Sequence, residues 1–258
     1  MQQYLFGDTN IAARRLQVLA EVFANSTSAF LARVAESDQR LALDLGCGPG
    51  YCTHLLAGLL RSGRTVGLDS SEHFISLARQ TQAEGVSFCL HDVTSVPFPV
   101  RSADLAFCRF LLSHLREPHE VVASWATQLH PKGRLAIEEV EAIHTSNPTF
   151  KTYLGIVEAM LADQDACLCV GPAVARFGAD EGLILRVNQV TRLPVTNDRA
   201  ASMFVLNLQS WRSQPFVRAN FDTQEIARLE ERLGETAGDD NGQSEIEWDL
   251  RQAVFARR

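Results

Sequence analysis

The chain has 258 residues, enough for one α/β unit with a full core and a modest appendage. Its 46% hydrophobic and 21% charged residues are ordinary for a globular protein, and a net charge of −7 argues against a nucleic-acid partner, which calls for clustered Lys and Arg. No apolar run approaches a membrane span, no secretory signal is evident, and the six cysteines form no zinc or C-x-x-C spacing; a cytoplasmic, reduced protein without metal or membrane contact is expected.

In chain order, Ile11 to Ala35 carry apolar residues at helical spacing, with Asn25 to Ser28 as a candidate break into two helices. Leu41 to Leu45 reads as a buried strand. Gly46-Cys-Gly48-Pro-Gly50 follows, then a helix from Tyr51 to about Leu60. Thr65 to Leu68 is a second strand, and Ser70 and Ser71 cap the next helix. Val86 to Leu90 and Ala103 to Cys108 are further strands, separated by a loop with Pro97 and Pro99. A short helical segment starts at Leu111, and a longer helix runs from Pro118 to near Leu129. Pro131 to Gly133 reads as a tight turn before a fifth strand, Arg134 to Val140. Beyond it, helices are expected near 150–161, 173–179, 199–211 and 223–233, and strands near 183–193 and 247–257. Strands alternating with helices predict a doubly wound, mainly parallel, Rossmann-like sheet of seven strands. Its late pair adds an antiparallel edge, and a helical lid covers it.

The glycine loop is the main chemical signal. A strand, a glycine turn, a helix and an acid at the end of the next strand (Asp69) describe a nucleoside crevice. The third glycine, however, comes one position earlier than in a dinucleotide fingerprint. Asp44, two residues before the loop, would repel a diphosphate and suits an ammonium or sulfonium centre. Backbone N–H groups at Gly46, Gly48 and the following turn are expected to approach the ligand, because no Cβ intervenes.

Leu43 to Gly50, Val66 to Asp69, His91 to Val93, Ala103 to Arg109 and Leu129 to Leu135 stand in the order and spacing of five motifs. With them the chain resembles the class I S-adenosylmethionine-dependent methyltransferases of the small-molecule type. The resemblance covers about residues 40–140. It implies S-adenosyl-L-methionine as cofactor and S-adenosyl-L-homocysteine as product. Asp69 would take the ribose hydroxyls and Asp92 the adenine amine. Further cofactor contacts are expected at Tyr4, Asp44, Gly46, Cys47, Gly48, Gly50, Ser70, Val93, Cys108 and Arg109. Residues 1–36 would form the lid, 37–145 the cofactor-binding core, and 146–258 the acceptor helices and sheet-closing strands of the same globular unit.

The acceptor is expected at the carboxyl ends of the fourth and fifth strands, where ligands of open α/β sheets collect. His114, Glu138 and Glu139 are the candidate bases, with His144 a weaker one. Adjacent glutamates on a strand must point to opposite faces, so one of the two is expected in the crevice. Phe6, Phe23 and Phe30 join Tyr4 as a candidate aromatic lid, and Asn207 and Trp211, one helical turn apart, as acceptor contacts. Cys108-Arg-Phe-Leu111 stands where enzymes that methylate nucleic-acid bases carry an N-P-P-Y-type segment, so a small organic acceptor is expected, with secondary metabolism among its sources and an O, N or C nucleophile. The same pocket also suits a non-methylating reaction such as a cyclisation, or a non-catalytic cofactor-binding partner subunit. A monomer or homodimer is expected.

Overall fold

The computed structural model describes residues 6–36, 39–60, 63–239 and 242–258. Tyr4 lies outside the described residues. Helix α1 (Asn10–Val34) begins at Thr9, whose side chain accepts the Ala12 N–H. It runs unbroken through Asn25 to Ser28, so the expected interruption is absent. The polar residues stay helical because Ser26 and Thr27 turn inward to a carboxylate on the sheet, Glu138. Phe23, Phe30 and Leu31 fill the rest of that inner face, each at most 1% exposed. Burying side chains of this size is worth ~1.5–3 kcal/mol apiece, so packing fastens α1 to the sheet.

The seven strands are β1 (Leu41–Leu45), β2 (Arg64–Asp69), β3 (Val86–Leu90), β4 (Ala103–Arg109), β5 (Leu129–Thr145), β6 (Leu183–Val195) and β7 (Ile246–Arg257). They lie in the order β3-β2-β1-β4-β5-β7-β6. The first five are parallel, and β7 runs antiparallel between β5 and β6, as the late pair of strands predicted. Strand order reverses between β1 and β4, which opens a crevice at their carboxyl ends. The parallel strands are apolar on both faces, as a sheet sandwiched between helices requires.

Helices α2 (Tyr51–Leu59), α3 (Glu72–Gln80) and α4 (Pro118–Ala126) supply the crossovers. Ser71, not Ser70, caps α3, accepting the Phe74 N–H at 3.1 Å. Helices α5 (Pro148–Ala162), α6 (Gly171–Val174), α7 (Asn197–Trp211), α8 (Pro215–Asn220) and α9 (Thr223–Ala237) follow β5 and flank the late strands. Two sequence expectations change. Pro131 to Gly133 is an irregularity inside β5 instead of a turn before it: Ala103 pairs with Leu129 and Leu105 already with Arg134. In addition, β5 continues five residues past Val140, because β7 pairs along it to Thr145. No described helix is long and apolar enough to cross a membrane.

The turn into α2 rests on Gly50, which sits at φ 93° with the Phe88 ring 2.7 Å from the place a Cβ would occupy. Gly50→Ala combines a left-handed backbone with a steric overlap, and should cost about 2 kcal/mol or more. A lowered urea midpoint at unchanged m-value is the expected result, and a wild-type midpoint would contradict this role.

Candidate active site

The end of β1 runs into the glycine loop, and the loop is sewn to β2 by its own backbone. The N–H groups of Gly46 and Cys47 both donate to the Leu68 carbonyl, at 2.8 and 3.0 Å. The Gly48 N–H donates to Asp69 Oδ2 at 2.8 Å, and the Ser71 N–H to Asp69 Oδ1 at 2.8 Å. Asp69 thus ties the loop to the start of α3. The Gly46 and Gly48 N–H groups expected to meet a ligand are already engaged inside the chain, which corrects the sequence reading at those two positions. What the loop offers is bare backbone, and at Gly48 a Cβ would press Leu16 of α1 at 3.3 Å. A loop without spare N–H donors, flanked by Asp44 and Asp69, is a poor cradle for a diphosphate.

Around this loop lies a cavity of about 810 Å³, within the ~300–1,000 Å³ of small-molecule sites. Its loop end is lined by Asp44, Gly46, Cys47, Gly48, Asp69 and Ser70. Asp92 and Val93 form the rim. Asp92 Oδ1 accepts from the Thr94 N–H and hydroxyl at 2.9 and 2.7 Å, and Trp125 holds the same loop by donating to the Val93 carbonyl at 2.8 Å. Burial pushes the Asp44 carboxyl up to about 6, against the opposing pull of the Thr53 hydroxyl (2.7 Å) and the Arg109 charge. Burial likewise raises Asp69, opposed by its backbone donors, and sends the Cys47 thiol well above its usual range.

Arg109 ends β4 and lines the cavity, while Cys108 beside it faces the opposite way into the core between β1 and β5. Strand alternation separates the two, so Cys108 is removed from the expected cofactor contacts. Gly50 is removed as well, since it meets Phe88 and not the cavity.

The candidate bases fare differently from expectation. Glu138 and Glu139 do point to opposite faces, but both are 0% exposed and neither lines the cavity. Glu138 Oε2 accepts from the Thr27 hydroxyl at 2.5 Å, and Oε1 from Gln252 at 2.6 Å; Thr27 in turn accepts from Arg109 at 2.9 Å. Glu139 Oε1 accepts the N–H groups of Leu111 and Leu112, each at 2.8 Å, bracing the turn after β4. These carboxylates position backbone and lid instead of moving protons. His114 does line the cavity, packed edge-on to Phe6. Burial, with the Arg15 charge added, pushes it down to about 3, too weak a base for proton abstraction near neutrality. His144 lies off the cavity, paired with Asp249 at 2.8 Å.

Of the aromatic lid, Phe6 and Phe23 line the cavity, and Phe30 is in the core under α1. Asn207 lines it, but Trp211 is fully buried behind. The far half of the cavity is an aromatic chamber made by Phe23, Phe110, Tyr153, Phe204 and Trp248; among the described residues, the basic lining side chains are Arg15, Arg109 and His114. Periodicity marks most of these residues as inward-facing, yet it carries no sign that α1, α5, α7 and β7 meet around a space.

Residues 43–137 match the family model described as a methyltransferase domain. The α/β core is that of a class I S-adenosylmethionine-dependent methyltransferase. Among curated relatives, the trans-aconitate 2-methyltransferase of Delftia acidovorans is 36% identical over 145 residues, which are 52% of this chain and 54% of the relative. The chain thus spans about half the length of that relative. Among solved structures, coclaurine N-methyltransferase bound to N-methylheliamine and S-adenosylhomocysteine superposes with a TM-score of 0.57 at 15% identity, covering 90% of this chain and 72% of that one. The [4+2]-cyclase SpnF superposes at 0.56 with 14% identity, covering 91% and 81%. At such identity the two structures establish the shared fold.

The residues present fit the family's cofactor: the buried Asp44, the half-buried Asp69 and glycine backbone face the loop end, where the Gly46, Cys47 and Gly48 N–H groups are already engaged. No group of three or more His, Cys, Asp or Glu among the described residues could hold a metal ion. Glu139 sets a pH signature. Burial raises it to about 8 from 4.5, so between those values the folded chain keeps a proton that the unfolded chain has lost. Its stability contribution is full below about pH 4.5 and falls as pH rises toward 8, by up to about 1.4 kcal/mol per unit. Glu139→Gln, which keeps the acceptor oxygen for Leu111 and Leu112, should flatten that decline in urea titrations from pH 5 to 8. An unchanged slope would count against the assignment.

Proposed function

We propose that this protein transfers a methyl group from S-adenosylmethionine to a small organic acceptor held in the aromatic chamber. The observation that carries this reading is the continuity of one cavity, from the acid-flanked glycine loop past Arg109 to Tyr153, Phe204 and Trp248. Bound at the loop, the cofactor would supply an electrophilic methyl on a positively charged sulfur.

The chain's own residues then do four things. Asp69, oriented by two backbone donors, receives the ribose hydroxyls, and Asp92 on the rim receives the adenine amine. Asp44 offers negative charge to the ammonium and sulfonium end, and Arg109 offers a guanidinium to the carboxylate. Leu16, Leu19 and Phe23 of α1 roof the cavity and exclude water from the line of attack. Among the described residues, His114 is held neutral, both glutamates lie elsewhere, and Asp44 is committed to the ammonium and sulfonium end, so no base is assigned to the acceptor. The chamber therefore suits an acceptor whose nucleophile already carries a lone pair, such as an amine or carboxylate. The name of the trans-aconitate relatives agrees with a carboxylate as nucleophile, not with the body of the acceptor, which the chamber walls determine. The net charge of −7 supports a small molecule over nucleic acid.

Asp69→Ala should weaken S-adenosylmethionine by roughly 1–3 kcal/mol in calorimetry, through loss of charged hydrogen bonds. Because the Asp44 carboxyl titrates at about 6, affinity for the sulfonium form should rise as pH goes from 5 to 7, and Asp44→Asn should abolish the rise. A methylated product that grows with time, detected by mass spectrometry, tests the reaction itself; conversion of an acceptor without gain of a methyl would favour the cyclisation alternative.

A further inference from the structure

The chamber's chemistry narrows the acceptor class within the proposed methyl transfer, on which this inference rests. Tyr153 stacks on Phe204 with centroids 4.1 Å apart at 19°, and Phe204 leans on Trp248 at 6.0 Å. Phe23 meets Phe110 and Trp248 edge-on at 4.9 and 5.7 Å. These rings, with Val157 and Met203, make walls that are apolar on α5, α7 and β7 alike. Among the described lining residues, cationic side chains are confined to α1 and the end of β4, where Arg15 sits over the Phe6 ring and Arg109 is engaged by Thr27. A tricarboxylate lodged among the rings would lose its hydration without gaining counter-charges.

One polar group interrupts the apolar wall. Asn207 of α7 is 6% exposed and lines the chamber. Its Nδ2 donates to the Tyr153 hydroxyl at 2.5 Å, while its Oδ1 has no hydrogen-bond partner among the described residues. Turning the amide over exchanges the two ends, and Tyr153 still engages only one. Buried amides are rarely left half-satisfied without a reason, and a ligand group supplies one.

We propose that the acceptor is a largely apolar, ring-sized molecule whose body fills the aromatic chamber and whose neutral polar group hydrogen-bonds Asn207, and that it is not a polycarboxylate. Its nucleophilic end would face Arg109 and the glycine loop. The neutral group and the nucleophile are separate features of the acceptor, which is why binding, and not turnover, is the direct readout.

The experiment uses the full chain saturated with S-adenosylhomocysteine, and three probes: 1-naphthol, naphthalene and trans-aconitate. Ligand-observed NMR and fluorescence titration should show 1-naphthol binding, naphthalene binding about tenfold more weakly, and no displacement of 1-naphthol by trans-aconitate. Asn207→Leu should remove the preference for 1-naphthol over naphthalene while leaving S-adenosylhomocysteine affinity unchanged. If that variant does not fold, the naphthol-to-naphthalene ratio in the wild type still decides the role of a polar group. Trans-aconitate binding more tightly than 1-naphthol, or no binding of either ring compound, would overturn the inference. Failure to bind S-adenosylhomocysteine would instead sink the proposed methyl transfer; the naphthol titration on the ligand-free protein then still judges the chamber.

Discussion

The carboxylate of Glu138 is the constraint on which the rest of the site depends. It is fully buried on β5 and draws four polar partners, Ser26 and Thr27 from α1, Gln252 from β7, and Arg109 through Thr27. A buried charge or acid without partners would be costly, so α1 must lie where its hydroxyls reach Glu138. That placement carries Leu16 over Gly48 and Phe23 to the chamber wall. It also holds Arg109, through Thr27, at the junction between the loop end and the rings. The position of α1, the loop end and the aromatic chamber are set by one hydrogen-bonded cluster, while apolar packing of Phe30 and Leu31 supplies the bulk attraction.

The glycine loop works by a related economy. Its N–H groups close onto Leu68 and Asp69, so the loop is rigid before any ligand arrives. Up to Gly48 it presents shape and negative charge, with its donors turned inward. This explains in physical terms why a strand–glycine–helix crevice here suits a cationic sulfur nucleoside, where the same crevice in a dinucleotide site turns N–H groups toward phosphate.

Much of the α/β core was legible because its signals are local. The run Leu41 to Leu45, the three glycines and Asp69 lie within one strand–helix–strand unit, and their spacing alone places them at the crevice. Signals that depend on distant partners were misread. Asn25 to Ser28 resembled a break because the group that satisfies Ser26 and Thr27 is Glu138, more than a hundred residues away. Glu138 and Glu139 resembled crevice acids because alternation assigns their faces but not what covers each face. Pro131 to Gly133 carried the residues of a turn and became an irregularity inside a strand, since β4 pairs before it at Leu129 and again after it at Arg134, where β7 joins. The chamber was not legible: its walls come from α1, α5, α7 and β7, each showing only an ordinary buried face.

A single structure of the protein crystallised with S-adenosylhomocysteine tests the central claim most directly. The account predicts ribose hydroxyls on Asp69, adenine beside Asp92, the amino-acid end between Asp44 and Arg109, and the chamber of Tyr153, Phe204 and Trp248 left open for a second molecule. Density for the nucleoside inside that chamber, or its absence from the Asp69 carboxylate, would contradict it.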